Sequence, residues 1–289
     1  MARKTWFITG ASSGFGLAFA KYALAQGHNV VATARRLDTL QEITSQAPER
    51  VLALALDVTR PQDAAAAVNA AITRFERIDV LVNNAGYGIV GAFEETPQDE
   101  LRALMETNFF GAMNVTRAAL PALRAQRSGA IVNISSLGGQ LSFAGFSAYS
   151  ASKFALEGAS EALAQELKPF GIKVLIVEPG QFRTGFAGAG LRHMPLIDAY
   201  KDIIGGTRDF ARNMDGAQPG DPMKAAAAIE TSLESPNTPL RLQLGADAVD
   251  AVRNHAEALL SDLSTWEALA RDTALQSTHL TSSRKQDHA

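Results

Sequence analysis

Tyr149 and Lys153 stand four residues apart in Tyr149-Ser150-Ala151-Ser152-Lys153. On a helix that spacing puts a phenol and an ammonium one above the other on the same face. A phenol with its ordinary pKa near ~10 exchanges protons poorly at neutral pH, and a neighbouring cation favours the phenolate. Bringing it near neutrality takes about 3–4 kcal/mol of preferential stabilisation, which two close cations can supply in a dry site. Such a phenol could give a proton to a carbonyl oxygen or take one from an alcohol. Taken alone, the spacing is more often a surface coincidence, so its companions decide. Asn133-Ile134-Ser135-Ser136 closes an apolar run, where a parallel sheet opens its ligand sites. The Ser136 hydroxyl could hold the reacting oxygen beside the phenol. Ser135 is the runner-up; as an adjacent strand residue it would point to the opposite face.

A second group of residues suits an anion. The first apolar run leads into Thr9-Gly10-Ala11-Ser12-Ser13-Gly14-Phe15-Gly16, and an amphipathic segment follows through Gln26. Glycines allow the backbone to turn tightly and approach a pyrophosphate, and the helix N-terminus then aims free N–H groups at it. Gly10, Ser12, Ser13, Gly14, Phe15 and Gly16 are therefore candidate dinucleotide contacts. A turn of this kind is weak evidence by itself, but here it joins the first strand to the first helix of a βαβ pattern. NAD-specific sites place an acid about 20 residues past such a turn. This chain reads Val31-Ala32-Thr33-Ala34-Arg35-Arg36 there, with Ala34 at the acid's place. A guanidinium at Arg35 would pair with a 2′-phosphate, so NADP(H) is expected over NAD(H), with Asp38 the one nearby acid. The oxidised nicotinamide ring would be the second cation beside Tyr149.

The elements that must position these residues are legible from the pattern. Short apolar runs at Thr5–Thr9, Asn29–Ala34, Val51–Leu56, Val80–Asn83, Ala130–Ser135, Lys173–Glu178 and Arg241–Leu244 alternate with amphipathic segments. Most lack in–out alternation, as strands covered on both faces should. The expectation is an α/β fold: a doubly wound, Rossmann-like parallel sheet of about seven strands with helices on both faces. Thr96-Pro97-Gln98-Asp99 and Asp221-Pro222 read as helix starts, with Thr96 and Asp221 as caps. One domain over 1–275 is the simplest division, with 181–220 a Gly-, Phe- and Met-rich insertion, 246–275 a helical extension and 276–289 a polar, disordered tail.

The 289 residues carry 46% hydrophobic side chains and a net charge of −3, a globular composition with no basic run for nucleic acid. No cysteine is present, which removes disulfides, thiol nucleophiles and thiolate metal ligands, and the five histidines fall at no ligand spacing. No apolar stretch reaches membrane-spanning or signal-peptide form, so a cytoplasmic location is expected.

The Gly-x-x-x-Gly-x-Gly turn, the Tyr-x-x-x-Lys pair and Ser136, 13 residues before Tyr149, together resemble the short-chain dehydrogenase/reductase family over roughly residues 5–185. The resemblance implies hydride transfer between a nicotinamide cofactor and a ketone, aldehyde or alcohol. It implies catalytic roles for Ser136, Tyr149, Lys153 and Asn108, the last through a main-chain-held water extending the relay from the lysine. It also implies cofactor contacts at Asp57 and Val58 (adenine), at Asn84, Ala85 and Gly86, at Tyr149 and Lys153, and at Pro179, Gly180 and Thr184. In the family the segment after the sixth strand forms the lid and pocket wall. Phe182, Phe186, Leu191, Met194, Leu196, Ile197, Tyr200, Ile203, Ile204, Phe210 and Met214, with Leu141, Phe143 and Phe146, suggest an apolar pocket for a small apolar carbonyl or alcohol substrate. A homodimer or homotetramer is implied. The rival reading is a non-catalytic NADP-binding sensor on the same fold, against which the joint presence of Ser136, Tyr149 and Lys153 counts. A dehydratase or epimerase is a third reading, although those usually carry larger C-terminal substrate domains.

Overall fold

A computed structural model describes residues 3–274. The tail expected at 276–289 lies outside the described residues. The chain divides into two compact units, Met1–Val252 and Arg253–Ala289. The strands are β1 (Thr5–Ile8), β2 (Asn29–Ala34), β3 (Val51–Ala55), β4 (Val80–Asn83), β5 (Gly88–Val90), β6 (Gly129–Ile134), β7 (Ile172–Pro179), β8 (Leu191–His193) and β9 (Arg241–Leu244). The main helices are α1 (Gly14–Ala25), α2 (Gln41–Gln46), α3 (Pro61–Phe75), α4 (Gln98–Met105), α5 (Gly111–Gln126), α6 (Ser147–Leu167), α7 (Lys201–Asn213), α8 (Pro222–Glu234) and α9 (Ala246–Arg271). No described helix is long and apolar enough to cross a membrane.

Seven strands form one sheet in the order β3-β2-β1-β4-β6-β7-β9, every neighbouring pair parallel. All seven expected runs are in it. Helices cover both faces, which is why the central strands present apolar side chains to both. In β1, Trp6 and Ile8 join a core with Phe19 of α1 and Ile229 of α8. The intervening Phe7 joins Val68 of α3 and Val115 of α5 on the other face. Each such side chain contributes about 1.5–3 kcal/mol by leaving water. Strand order reverses between β1 and β4, and the crevice at that point, above the C-terminal strand ends, is where such sheets bind ligands.

A buried polar bracket fixes α6 to the sheet. Asn83 Nδ2 donates to Asn133 Oδ1 (2.8 Å) and Thr116 Oγ1 (2.9 Å), and Asn133 Nδ2 donates to Ser160 Oγ (2.8 Å). β4, β6, α5 and α6 are thereby joined through groups that would be costly to leave unpaired.

One cap follows the sequence reading and one departs from it. Asp221 accepts from the Met223 N–H at 2.8 Å, with Pro222 opening α8. Thr96 does not cap α4. Its hydroxyl donates to the Ala92 carbonyl at 3.2 Å, inside a tight turn over 92–96, and the helix begins at Gln98 after Pro97.

The insertion carries structure that the sequence did not announce. β8 pairs in parallel with β5 as a two-stranded sheet of three residues each, too short for any periodicity. α7 is held down by a buried ion pair, Arg208 Nη2 to Glu95 Oε2 at 2.6 Å. Glu95 also accepts from the Ala92 and Ile197 N–H groups, at 2.7 and 2.8 Å. Burial alone would raise the Glu95 pKa, but these bonds and the guanidinium outweigh it and hold the carboxyl below its ordinary value.

Candidate active site

The crevice holds a cavity of about 1150 Å³. Its phosphate-binding end is the turn after β1. Gly10 and Gly14 adopt φ of +66° and +54°, where side chains are disfavoured. A Cβ on Gly16 would stand 2.2 Å from the Gly10 carbonyl oxygen and 2.6 Å from Asn84 Nδ2, so only glycine lets the helix approach the strand. Asn84 Nδ2 donates to the Thr9 and Gly10 carbonyls at 2.9 and 3.2 Å. The Thr9 hydroxyl accepts from the N–H groups of Asn84 and Ala85, at 2.9 and 3.0 Å. The two loops thus make one wall. Gly10, Ser12, Ser13, Gly14, Phe15, Asn84, Ala85 and Gly86 line the cavity, and Gly16 packs behind them. The N-terminus of α1, whose Ser13 cap position makes no side-chain bond, supplies the positive end of a helix there. Nothing in this cradle conflicts with a pyrophosphate.

At the end of β2, Ala34 and the exposed Arg35 border the cavity. Asp38, the acid that could have contended for a ribose, is forked with Arg36 instead, Nε to Oδ1 at 3.2 Å and Nη2 to Oδ2 at 2.5 Å. Asp57 and Val58 also line the cavity. Asp57 Oδ1 accepts from the Thr59 N–H (3.0 Å) and hydroxyl (2.7 Å). Burial would raise this carboxyl, but the Thr59 bonds, with Arg60 and Arg35 nearby, bring it below its ordinary value.

Ser136, Tyr149 and Lys153 meet at the end of β6, and all three line the cavity. A Cβ placed on Gly138 would lie 3.4 Å from both Ser136 Oγ and Tyr149 Cε1, so serine and phenol face the same small residue. Ser136 Oγ accepts from the Gly138 N–H at 3.0 Å and is hydrogen-bonded to the Tyr149 side chain. Lys153 Nζ donates to the Ile134 carbonyl at 2.8 Å and sits 5.8 Å from the centre of the Tyr149 ring. Ser135 faces the other way. Its Oγ would be 2.5 Å from a Cβ on Gly139, on the side of Glu157, and is buried without a hydrogen-bond partner.

The electrostatics correct one expectation. Tyr149 is not lowered toward neutrality by its lysine. Burial pushes the phenol up to about 12, with the Ser136 bond only partly opposing it. Burial also pushes Lys153 down to about 8, with Glu157 opposing. Both side chains are buried, and desolvation outweighs the Ser136 contact at the phenol and the Glu157 charge at the lysine. At neutral pH the pair is a protonated phenol beside a charged lysine.

Asn108 does not line the cavity. It sits in a π-helical turn, Glu106–Phe110, between α4 and α5. Its Oδ1 accepts from the Tyr87 N–H (3.1 Å), and its Nδ2 donates to the Tyr87 carbonyl (2.9 Å) and Ser152 Oγ (3.0 Å). Ser152 Oγ in turn donates to the Tyr149 carbonyl at 2.7 Å. The Asn108 side chain positions α6 against the start of β5.

Beyond β7, Pro179, Gly180 and Thr184 line the cavity, and the Thr184 Cβ lies 3.4 Å from where a Cβ on Gly14 would stand. The apolar residues of the insertion separate by role. Phe182, Phe186, Phe210 and Met214 line the cavity with Phe143 and Phe146; Leu191, Met194 and Ile204 are core; Leu196 and Ile203 are exposed. Phe146 and Phe186 flank Tyr149, with ring centres at 6.3 and 5.6 Å. Leu141, Ile197 and Tyr200 do not reach the cavity. Sequence reasoning missed Tyr87, Thr207 and Gln218 as lining residues. Tyr87 follows Gly86 directly and carries the Arg192 guanidinium 4.5 Å from its ring centre, which only the β5–β8 pairing brings about.

Known proteins resemble this chain closely. Residues 4–193 match the family model described as short chain dehydrogenase. Oxidoreductase BOA17 of Botryotinia fuckeliana is 40% identical over 94% of this chain and 99% of its own length. The 3-ketodihydrosphingosine reductase of Bacteroides thetaiotaomicron is 40% identical over 82% of this chain and 86% of its own. A solved short-chain dehydrogenase from Streptomyces avermitilis superposes with a TM-score of 0.90 at 50% identity, covering 94% of this chain and 99% of that one. With that cradle, that serine–tyrosine–lysine grouping and these relatives together, the chain belongs to the short-chain dehydrogenase family and is an oxidoreductase acting on alcohol or carbonyl groups.

Proposed function

We propose that the enzyme interconverts a small apolar ketone or aldehyde and its alcohol with NADP(H), Tyr149 serving as general acid/base. The observation that carries the reading is the convergence of Ser136, Tyr149 and Lys153 on the cavity whose other end is the glycine turn and Arg35. A dinucleotide held by the glycine turn would supply or accept the hydride. Ser136 holds the substrate oxygen beside the phenol, and Tyr149 gives that oxygen its proton as the carbonyl carbon gains hydride. Lys153 anchors to the Ile134 carbonyl and offsets negative charge forming on the phenol. A phenol protonated at neutral pH suits the reductive direction. Arg35, with Asp38 already paired to Arg36, favours a 2′-phosphate over a bare ribose. Phe143, Phe146, Phe186, Phe210 and Met214 favour an apolar body on the substrate. The bacterial relative named for reducing a ketodihydrosphingosine is consistent with such a substrate.

A panel of ketones and aldehydes assayed for NADPH oxidation, alongside Tyr149→Phe, tests the reading. Turnover of apolar carbonyls that disappears in the variant, with NADPH binding retained, is expected. Turnover insensitive to the variant overturns the mechanism, and a preference for NADH overturns the cofactor.

A further inference from the structure

Every residue from 256 to 274 is exposed. Leu259, Leu260, Leu263, Trp266 and Leu269 of α9 are 56%, 63%, 65%, 61% and 68% exposed. A helical stretch whose side chains are all exposed has mainly its intrinsic propensity to hold it, which is marginal in water. The apolar positions are also ordered. Val249, Val252, Ala256, Leu259, Leu263, Trp266 and Ala270 follow one another at alternating steps of three and four over three heptads. That is the a/d register of a helix that packs along one seam against another, and Leu260 and Leu269 widen it.

We propose that α9 pairs with α9 of a second copy of this chain as an antiparallel coiled coil, Leu263 of one copy level with Leu259 of the other. The charges beside the seam choose the direction. In a parallel pair, Asp262 of each copy would face Glu267 of the other, two like-charge contacts. In the antiparallel pair Arg253 of each copy faces Glu267 of the other, sharing that carboxylate with Arg271 of the other helix, and Leu260 meets Leu260 across the dyad. One like-charge contact remains, Asp262 with its own counterpart. Two attractions against one repulsion favour the antiparallel arrangement over two repulsions with no offset. A seam of this kind closes as a two-fold dimer.

The sequence contains no cysteine, so introduced thiols report without ambiguity. Val252→Cys and Ala270→Cys sit at small seam positions that face each other only between antiparallel copies. Co-expressed and oxidised, the two variants are expected to yield a disulfide-linked heterodimer, while neither links to itself. Self-linking of either variant overturns the antiparallel register. Leu259→Glu with Leu263→Glu is expected to halve the molar mass of the full chain in sedimentation equilibrium and leave the melting temperature of the first unit unchanged. An unaltered mass overturns the proposal, as does a monomeric chain whose α9 instead carries it onto phosphatidylcholine vesicles.

Discussion

The Lys153 ammonium lies 5.8 Å from the centre of the Tyr149 ring and spends its hydrogen bond on the Ile134 carbonyl. It is therefore a buried cation near the phenol, and burial, not the phenol, sets its titration. Lys153 in the cofactor-free protein is expected to titrate near 8, well under an ordinary lysine, because desolvation outweighs the help from Glu157. Between that value and 10.5 the unfolded chain still holds a proton the folded chain has released, so this group makes stability rise with pH there. NMR of 13C-labelled lysine reads the titration directly. Glu157→Gln should move it lower still, and a resonance titrating near 10.5 would refute the account.

Tyr149→Phe keeps the ring, its packing against Phe146 and Phe186, and the neighbouring lysine, and removes only the hydroxyl. Turnover should fall by about 10²–10⁴-fold, the usual worth of a positioned acid. The dissociation constant for NADPH, followed by fluorescence, should stay where it was.

Arg35→Asp replaces a phosphate-seeking guanidinium with a carboxylate that repels the same group. A charged hydrogen bond of about 1.5–3 kcal/mol corresponds to roughly a 10–100-fold loss in kcat/KM for NADPH. NADH should lose nothing or gain. An unchanged ratio between the two cofactors would show that Arg35 is only a surface charge.

Gly16→Ala puts a methyl 2.2 Å from a backbone oxygen, which no rotamer can relieve. The α1 N-terminus must retreat from the turn, so the rise in melting temperature on adding NADPH should vanish. Full retention of that rise would mean the cradle does not hold the dinucleotide.

Arg208→Met strands the Glu95 carboxylate in the interior and should cost about 3–5 kcal/mol in urea unfolding. Adding Glu95→Leu should recover most of it, because an apolar pair leaves no buried charge. In the parent protein the Glu95 pKa is depressed, so its contribution is present above its ordinary 4.5 and fades as pH falls through the folded-state value. Equal stability of parent and single variant at pH 7 would count against the clasp.

The seven sheet strands were readable because burial on both faces leaves mostly apolar runs without in–out alternation, such as Val30–Ala34 and Ile131–Ile134. The turn from Gly10 to Gly16 and the Tyr149–Lys153 pair were readable because geometry restricts which residues can stand there. Other features were not. β5 and β8 exist only as each other's partners, and three residues carry no period. The buried Arg208–Glu95 pair joins residues 113 positions apart, and each reads as an ordinary surface charge until the fold brings them together. Thr96 looked like a cap because nothing in its spacing announces the turn in which it and Glu95 both bond to Ala92. The raised Tyr149 pKa of the cofactor-free protein was not legible for a related reason: spacing reveals a neighbour but not the loss of water around both.

The β5–β8 pairing and the Arg208–Glu95 clasp moor the insertion to the body at separate points. Neither mooring uses Ser136, Tyr149 or Lys153. The cavity wall at Phe210 and Met214 can therefore be redrawn while Ser136, Tyr149 and Lys153 stay put, and a lineage or a designer could reshape the site without disturbing that grouping.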